Sequence, residues 1–104
     1  MNLSGKSQCN KVIIELLQNN INLFHAFDQV YIFGSIIMGY GEPEDIDLLL
    51  IYKEYNEKIV EDVAYICSYF EKKSRMAVDL TALSMSEVLE TAFIDKIGKY
   101  ERLK

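Results

Sequence analysis

The sequence predicts an α+β fold in which a small mixed β-sheet is flanked by α-helices. Short apolar runs at residues 30–33, 45–52 and 76–83 are typical of strands. The longer segments around them repeat apolar residues every three or four positions, as amphipathic helices do. The resulting order is helix, strand, strand, helix, strand, helix, which favours helices packed on one mixed sheet.

The size and charge of the chain limit its class. With 104 residues it is expected to form a single domain, 1–104, with one modest core. Its net charge of -5 argues against nucleic acid as a partner, because binding to a phosphate backbone favours a basic surface. The apolar runs are shorter than the roughly 20 residues that a membrane span needs. Cys9 and Cys67 lack metal-binding or redox spacing, which predicts reduced thiols in a cytoplasmic protein.

The first predicted helix covers residues 7–27. Its apolar face has helical spacing and consists of Ile13, Leu17, Ile21 and Phe24. Asn19 and Asn20 interrupt the pattern, so two shorter helices are the alternative. The first strand follows at 30–33 and is expected to end at Gly34.

A turn-rich stretch separates the first two strands. Residues 36–40 predict one helical turn, and Gly39, Gly41 and Pro43 predict a loop. The second strand, 45–52, is apolar at nearly every position after its third residue. Such a pattern predicts a strand that is buried on both faces by covering helices.

The rest of the chain predicts a helix, a strand and a last helix. The helix spans 56–73 and the strand 76–83. Ser84 or Ser86 would cap the last helix. Its apolar face would consist of Leu89, Phe93, Ile97 and Tyr100. Gly98 interrupts this helix, so a short terminal strand is the alternative.

Three aspartates at the predicted strands form a pattern typical of a metal site. Asp45 and Asp47 are two positions apart, so a strand would place both carboxylates on one face. Two ionised carboxylates at such a short distance repel each other unless a cation lies between them. Mg²⁺ is a cation that prefers such oxygen ligands. Asp79 would complete the site from a neighbouring strand. The alternative is a solvated turn at Asp45 and Asp47, with Asp79 paired to a lysine.

The order of these residues resembles a known family. Gly34-Ser35 after one apolar run, Asp45-x-Asp47 at the start of the next, and the later strand residue Asp79 are similar to the signature of the DNA polymerase β-like nucleotidyltransferases. The resemblance is to small stand-alone members, the antitoxin-like minimal nucleotidyltransferases, and covers most of the chain. It implies the polymerase β-like nucleotidyltransferase fold.

The resemblance also implies roles for the five residues. Asp45, Asp47 and Asp79 would be catalytic and metal-binding. The first two would hold Mg²⁺ against the phosphates of ATP, and Asp79 would share a metal or take the acceptor proton. Gly34 would let backbone approach a phosphate closely, and Ser35 would offer its hydroxyl and N–H groups to the nucleotide.

The chain departs from the family's pattern in its basic residues. Many small members carry arginines just after the serine, where this chain has Ile36 and Met38. No lysine or arginine occurs between Lys11 and Lys53. A triphosphate would then depend on metal, on backbone amides and on Lys53 or Arg75 brought in by folding.

The implied activity is a Mg²⁺-dependent transfer of a nucleoside monophosphate, AMP from ATP, to a hydroxyl acceptor. The resemblance implies an acceptor tyrosine on a helical HEPN-type toxin, and a HEPN-type partner or a homo-oligomer. The alternative is a catalytically degenerate module that binds and masks a partner protein, which the missing cations favour. Nucleotidylation of a small molecule, as in antibiotic-modifying relatives, is a third hypothesis.

Overall fold

The computed structural model describes residues 5–39, 43 and 45–104. Its helices are α1 (Gly5–Asn19), α2 (Ser35–Met38), α3 (Glu57–Ser74), α4 (Met85–Thr91) and α5 (Phe93–Ile97), with a 3-10 turn at Ile21–Phe24. Its strands are β1 (Gln29–Phe33), β2 (Asp45–Tyr52), β3 (Ala77–Ser84) and β4 (Tyr100–Arg102). Among the described residues, no helix combines the length and the hydropathy required to cross a membrane.

The strands form one four-stranded mixed sheet in the order β3-β2-β1-β4. β1 pairs antiparallel with both β2 and β4, whereas β2 and β3 are parallel. Parallel neighbours need a crossover connection, and α3 supplies it. This mixed sheet with flanking helices confirms the predicted α+β class.

The central strand β2 is buried on both faces, as its apolar sequence predicted. Its even-numbered residues from 46 to 50 belong to the main core, together with apolar side chains of α1, the 3-10 turn and α3. Leu49 and Ile51 on the other face pack with Tyr31 of β1 and Val88 of α4. Because residues two apart share a face, the aspartates that begin β2 lie on this second, α4-covered face.

The first helix ends earlier than predicted. α1 stops at Asn19 and is followed by the 3-10 turn, so a single helix over 7–27 is wrong. The Asn20 amide nitrogen donates to Leu16 O (2.8 Å), and its oxygen accepts from the Tyr69 hydroxyl (2.9 Å). An asparagine held in this way competes with the helical hydrogen bonds, which accounts for the break.

The C-terminal end also differs from a single helix. Ser84 caps α4 in a capping box, with its Oγ accepting from Glu87 N (3.1 Å) and Glu87 Oε1 accepting from Ser84 N (2.8 Å). The chain then turns at Ala92, whose φ is 52°, and resumes as α5. Tyr100 begins β4 and does not continue the helical face. The short terminal strand, given as the alternative, is the one observed.

The other elements lie close to their predicted positions. β2 has the predicted bounds, and β1, β3 and α3 differ from the prediction by one residue at one or both ends. The Asn56 side chain caps α3 by accepting from Ile59 N (3.3 Å). The predicted loop at Gly41 falls outside the described residues.

Candidate active site

Asp45, Asp47 and Asp79 lie together on one face of the sheet. β2 starts at Asp45, and in the parallel register with β3 Asp47 is directly opposite Asp79. Side chains two apart on a strand, and side chains in register on parallel neighbours, point to the same face. Asp45 and Asp47 are partly buried, whereas Asp79 is exposed on the edge strand. The fold thus brings together the three carboxylates that the sequence singled out.

One row of side chains continues from these acids across the whole sheet. Phe33 on β1 is opposite Asp47, and Tyr100 on β4 is opposite Phe33. This in-register row, here called the cross-sheet row, consists of Asp79, Asp47, Phe33 and Tyr100. Since adjacent strands are about 4.8 Å apart, the acidic half passes directly into an aromatic half.

Asp47 shows the electrostatic effect of this clustering. Its pKa is raised from 3.8 to about 6, first because the side chain is desolvated and then because Asp45 and Asp79 are negative. Desolvation and like charges both disfavour an ionised carboxylate, and a bound cation would offset both. The raised pKa therefore reflects the burial of Asp47 first and the two neighbouring carboxylates second.

Gly34 supports the carboxylate of Asp47 from the end of β1. Its backbone has φ 78° and ψ -150°, a conformation that is essentially restricted to glycine. A Cβ at this position would overlap Asp47 Oδ2 and lie 2.9 Å from Asp47 Cγ. The sequence interpretation assigned Gly34 to a close phosphate approach, whereas the nearest group in the structure is the Asp47 side chain.

Ser35 begins α2 next to the aspartates. Its Oγ lies 3.4 Å from Asp45 O, a long hydrogen bond that ties the start of α2 to the start of β2. The Gly34 carbonyl accepts from Ile37 N (3.0 Å) and Met38 N (2.8 Å), which closes the single helical turn. The first N–H groups of a helix have no intrahelical acceptor, so those of Ser35 and Ile36 have none within this turn.

The acidic groups fit a Mg²⁺ ion that shares its ligands with a substrate. Among the described residues, no three His, Cys, Asp or Glu side chains are close enough to enclose a metal by themselves. Mg²⁺ is usually bound by one or two carboxylates, substrate phosphates and water, and not by an all-protein cage. The donor set of two paired aspartates, with a third on the next strand, is of that open kind.

The two cations expected near the triphosphate lie at opposite ends of the sheet. Lys53 follows the far end of β2, about 26 Å from Asp45 by strand rise, and lies 3.9 Å from Asp28. Arg75 precedes β3, whose first residue, Ala77, is opposite Asp45. Lys53 is therefore excluded as a phosphate ligand within one copy of the chain, and Arg75 lies at the appropriate end.

The sequence interpretation did not place aromatic residues beside the aspartates. Phe33 was assigned to a strand without a functional role, and Tyr100 was assigned to a helical face. In the structure both lie in the cross-sheet row, and Phe33 packs edge-on against Phe93 of α5 with ring centroids 6.2 Å apart. Gly98, which ends α5 with φ 73°, was the available signal that Tyr100 lies beyond the helix.

Solved structures share this architecture, although no protein-family profile and no curated sequence matches the chain. A candidate nucleotidyltransferase from Sulfolobus solfataricus is 25% identical, with a TM-score of 0.60 over 93% of this chain and 84% of the other. A complex of tri-AMPylated Shewanella oneidensis HEPN toxin with MNT antitoxin includes a chain that is 19% identical, with a TM-score of 0.52 over 95% of this chain and 71% of the other.

A third match is a chain of a toxin–antitoxin structure with AMP-PNP. It is 20% identical, with a TM-score of 0.57 over 91% of this chain and 72% of the other. All three likenesses extend over nearly the whole of this chain, so they concern its complete sheet and helices and not a local motif. The chain has the polymerase β-like fold of the minimal nucleotidyltransferases, which confirms the resemblance seen in its motifs.

Proposed function

We propose that this chain is a cytoplasmic, Mg²⁺-dependent nucleotidyltransferase that transfers the AMP group of ATP to a hydroxyl acceptor on a partner protein. The acceptor oxygen bonds to the α-phosphorus, and pyrophosphate leaves. The observation that carries the proposal is the cluster of three carboxylates beside Gly34 and Ser35, in which Asp47 has a raised pKa. The structures similar in fold include a toxin–antitoxin pair with AMP-PNP and an AMPylated toxin with its antitoxin, which supports this choice of chemistry.

The aspartates have distinct tasks in this proposal. Asp45 and Asp47 would hold Mg²⁺ together with substrate phosphates and water, and Asp79 would lie beside the acceptor hydroxyl. When bound, the metal would offset the phosphate charge and stabilise the attacking and leaving oxygens of the displacement. Because Asp79 is exposed on the edge strand, an incoming acceptor hydroxyl reaches its carboxylate most easily. Asp79 is therefore suited to orient that hydroxyl and take its proton.

The start of α2 has the task of binding phosphate. The Ser35 hydroxyl and the first two N–H groups of α2 would donate to phosphate oxygens. The glycine before them keeps the backbone free of a side chain at the point where Asp47 and the nucleotide meet. Arg75, at the same end of the sheet, would add the positive charge that the stretch after Ser35 lacks.

The acceptor is proposed to be a tyrosine of a helical HEPN-type toxin, and the chain its antitoxin. The described residues form one four-stranded sheet with its helices, and the proposal takes the acceptor from another protein. The exposed edge at Asp79 is open to a side chain supplied by another protein. The net charge of -5 disfavours binding to a nucleic-acid backbone, which supports a protein as the acceptor.

The proposal is tested by nucleotide binding and by transfer. We expect calorimetry to show Mg²⁺-dependent ATP binding in the wild type and none in Asp45→Asn/Asp47→Asn. Glu57→Gln/Glu61→Gln is the matched control, because it removes the same charge from the exposed face of α3 and should bind normally. With ATP labelled at the α-phosphate, label should pass to the co-purified partner only when the aspartates are intact. Absence of binding both to the chain alone and to its complex would refute the proposal.

The second candidate, a degenerate module that masks its partner, is favoured by one observation. Residues 12–52, which include the proposed phosphate-binding turn, contain no lysine or arginine. Under this alternative Asp45→Asn/Asp47→Asn would still bind the partner and still protect cells from it. A double variant that binds but no longer protects would exclude masking and leave catalysis as the function.

A further inference from the structure

We propose that Tyr100 is the stacking surface for the base of the bound nucleotide, an inference that rests on the proposed function. The argument starts from the cross-sheet row, in which Tyr100 is two strands away from Asp47 on the same face. Two strand spacings correspond to about 10 Å. A ribose bridges a gap of this order between the α-phosphate and the base. A nucleotide with its phosphate at Asp47 would therefore bring its base to β4.

Tyr100 is accessible in a way that the neighbouring aromatic residues are not. Its side chain is 44% exposed, whereas that of Tyr31, which it contacts, is only 7% exposed. Phe33 is already in contact with Phe93. Large exposed aromatic surface is costly to leave in water, and a flat ring of this kind is what a nucleobase needs for stacking.

The Tyr100 ring is held in a defined orientation. It packs edge-to-face against Tyr31, with centroids 5.2 Å apart and planes at 90°. Tyr31 in turn donates from its hydroxyl to Gln29 Oε1 (2.7 Å) and has the Arg102 guanidinium 5.8 Å from its ring centroid. A ring fixed by such contacts loses little conformational entropy when a base stacks on it.

The strand that carries Tyr100 is itself anchored. Lys104 Nζ donates to Phe24 O (2.9 Å) and Phe27 O (2.6 Å), and Leu103 N donates to Val30 O (2.8 Å). Although β4 is only three residues long, both its pairing with β1 and these bonds hold it against the sheet. The fold therefore holds the Tyr100 ring in place before a nucleotide binds.

Among the described residues, two other tyrosines are largely exposed, and both lie elsewhere in the fold. Tyr65 is 57% exposed but belongs to α3, which covers the opposite face of the sheet. Tyr55 is 63% exposed and follows the far end of β2. Tyr65 thus provides a control, because its replacement removes an exposed tyrosine ring from the opposite face of the sheet.

The experiment compares ATP with inorganic tripolyphosphate, each titrated calorimetrically with Mg²⁺. Tyr100→Ala should weaken ATP binding by about 5- to 100-fold, the usual effect of removing one stacked ring, and leave tripolyphosphate binding unchanged. Tyr100→Phe and Tyr65→Ala should bind ATP within about twofold of the wild type. If Tyr100→Ala does not fold, Tyr100→Leu keeps the apolar bulk without an aromatic face and should show the same selective loss.

The outcomes separate this inference from the proposed function. If Tyr100→Ala and Tyr100→Leu bind ATP as tightly as the wild type does, the stacking role is wrong and the nucleotide site remains supported. Equal weakening of ATP and tripolyphosphate would also overturn it, since the loss would then concern the phosphates. Wild type that binds neither ligand, alone or with its partner, would overturn the nucleotide site and the stacking role together.

Discussion

The backbone of Gly34 lies directly against the carboxylate of Asp47, so a side chain at position 34 and the observed Asp47 rotamer exclude each other. Asp47 lies on β2 opposite Phe33, the last residue of the antiparallel strand β1, and Gly34 directly follows Phe33. The fold thereby makes a backbone position part of the site. Glycine at this position is required for the placement of a carboxylate as well as for a sharp turn.

Gly34→Ala should reduce both stability and Mg²⁺-dependent ATP binding. The strained backbone costs about 1–3 kcal/mol with a β-carbon, and displacement of Asp47 adds to this. Each kcal/mol lowers the melting temperature by roughly 4–8 °C in a domain of this size.

Gly98→Ala is the control, because Gly98 also has a positive φ (73°). Apart from its chain neighbours, no atom of the described residues lies within 4 Å of the position that a β-carbon would occupy there. Thermal unfolding followed by circular dichroism should therefore show a larger loss for Gly34→Ala than for Gly98→Ala. Equal losses, with ATP binding retained in Gly34→Ala, would mean that the Asp47 side chain moves aside without cost.

Asp47→Asn should stabilise the ligand-free protein while abolishing its metal-dependent nucleotide binding. The pKa of Asp47 in the folded state, about 6, lies above its usual 3.8, so ionisation of this group opposes folding. The destabilising effect of Asp47 ionisation is therefore absent below about pH 4, grows as the pH rises towards 6 and is constant above it. Screening of the partly exposed carboxylate limits the effect to on the order of 1 kcal/mol.

The measurement is the melting temperature of wild type and Asp47→Asn between pH 4 and pH 8. The two proteins should melt together at the acidic end, and the variant should melt higher above pH 6. Saturating Mg²⁺ with ATP should raise the wild-type value and leave the variant unchanged, because ligand that binds only the native state stabilises it. A constant difference at all pH values would contradict the titration of Asp47 as its cause.

The neighbours of Asp47 should affect its pKa unequally. Of the two negative charges that raise it, Asp45 has the larger effect and Asp79 the smaller, and burial exceeds both. Asp45→Asn should therefore lower the pKa of Asp47 more than Asp79→Asn does, and neither should restore the usual value of 3.8. Carboxyl-carbon NMR titration measures this directly.

Glu101→Gln is a suitable control for that titration. Glu101 lies on β4 opposite Ile32, so its side chain points to the other face of the sheet from the cross-sheet row. The pKa of Asp47 should be the same in this variant as in the wild type. A larger effect of Asp79→Asn than of Asp45→Asn would place the two carboxylates on β2 farther apart than the structure does.

Local sequence patterns were sufficient to predict the first three strands and the shared face of Asp45 and Asp47. β2 is apolar on both faces and begins with two aspartates, so periodicity alone gave its bounds and the shared face of its acids. The sequence analysis predicted that Asp79 completes the site from a neighbouring strand. Its position directly opposite Asp47 was not predicted, because no local pattern specifies which residues of two parallel strands are opposite each other.

Long-range contacts account for what the sequence did not predict. The end of α1 depends on Asn20, which is hydrogen-bonded to Tyr69 on a distant helix. Tyr100 fits a helical spacing and becomes a strand residue only because β1 offers a free edge for pairing. The opposite positions of Lys53 and Arg75 likewise follow from strand direction, which composition and spacing do not specify.

Arg75→Gly should stabilise the protein and weaken ATP binding. Arg75 ends α3 in the left-handed conformation, with φ 61°, and its N–H donates to Glu71 O (2.9 Å). Glycine adopts this conformation without the penalty of a β-carbon, so the substitution should add about 0.5–1 kcal/mol of stability. It also removes a positive charge from the end of the sheet where the triphosphate is proposed to bind.

Ala92→Gly makes the same backbone change, from φ 52°, without altering charge. Both variants should melt higher than the wild type, and only Arg75→Gly should lose affinity for Mg²⁺-ATP, by a few fold, because one partly screened charge contributes about 1 kcal/mol. Arg75→Lys should retain most of the affinity. If Arg75→Gly binds ATP as tightly as Ala92→Gly does, Arg75 does not replace the missing cations, and the triphosphate depends on the metal and the amides of α2 alone.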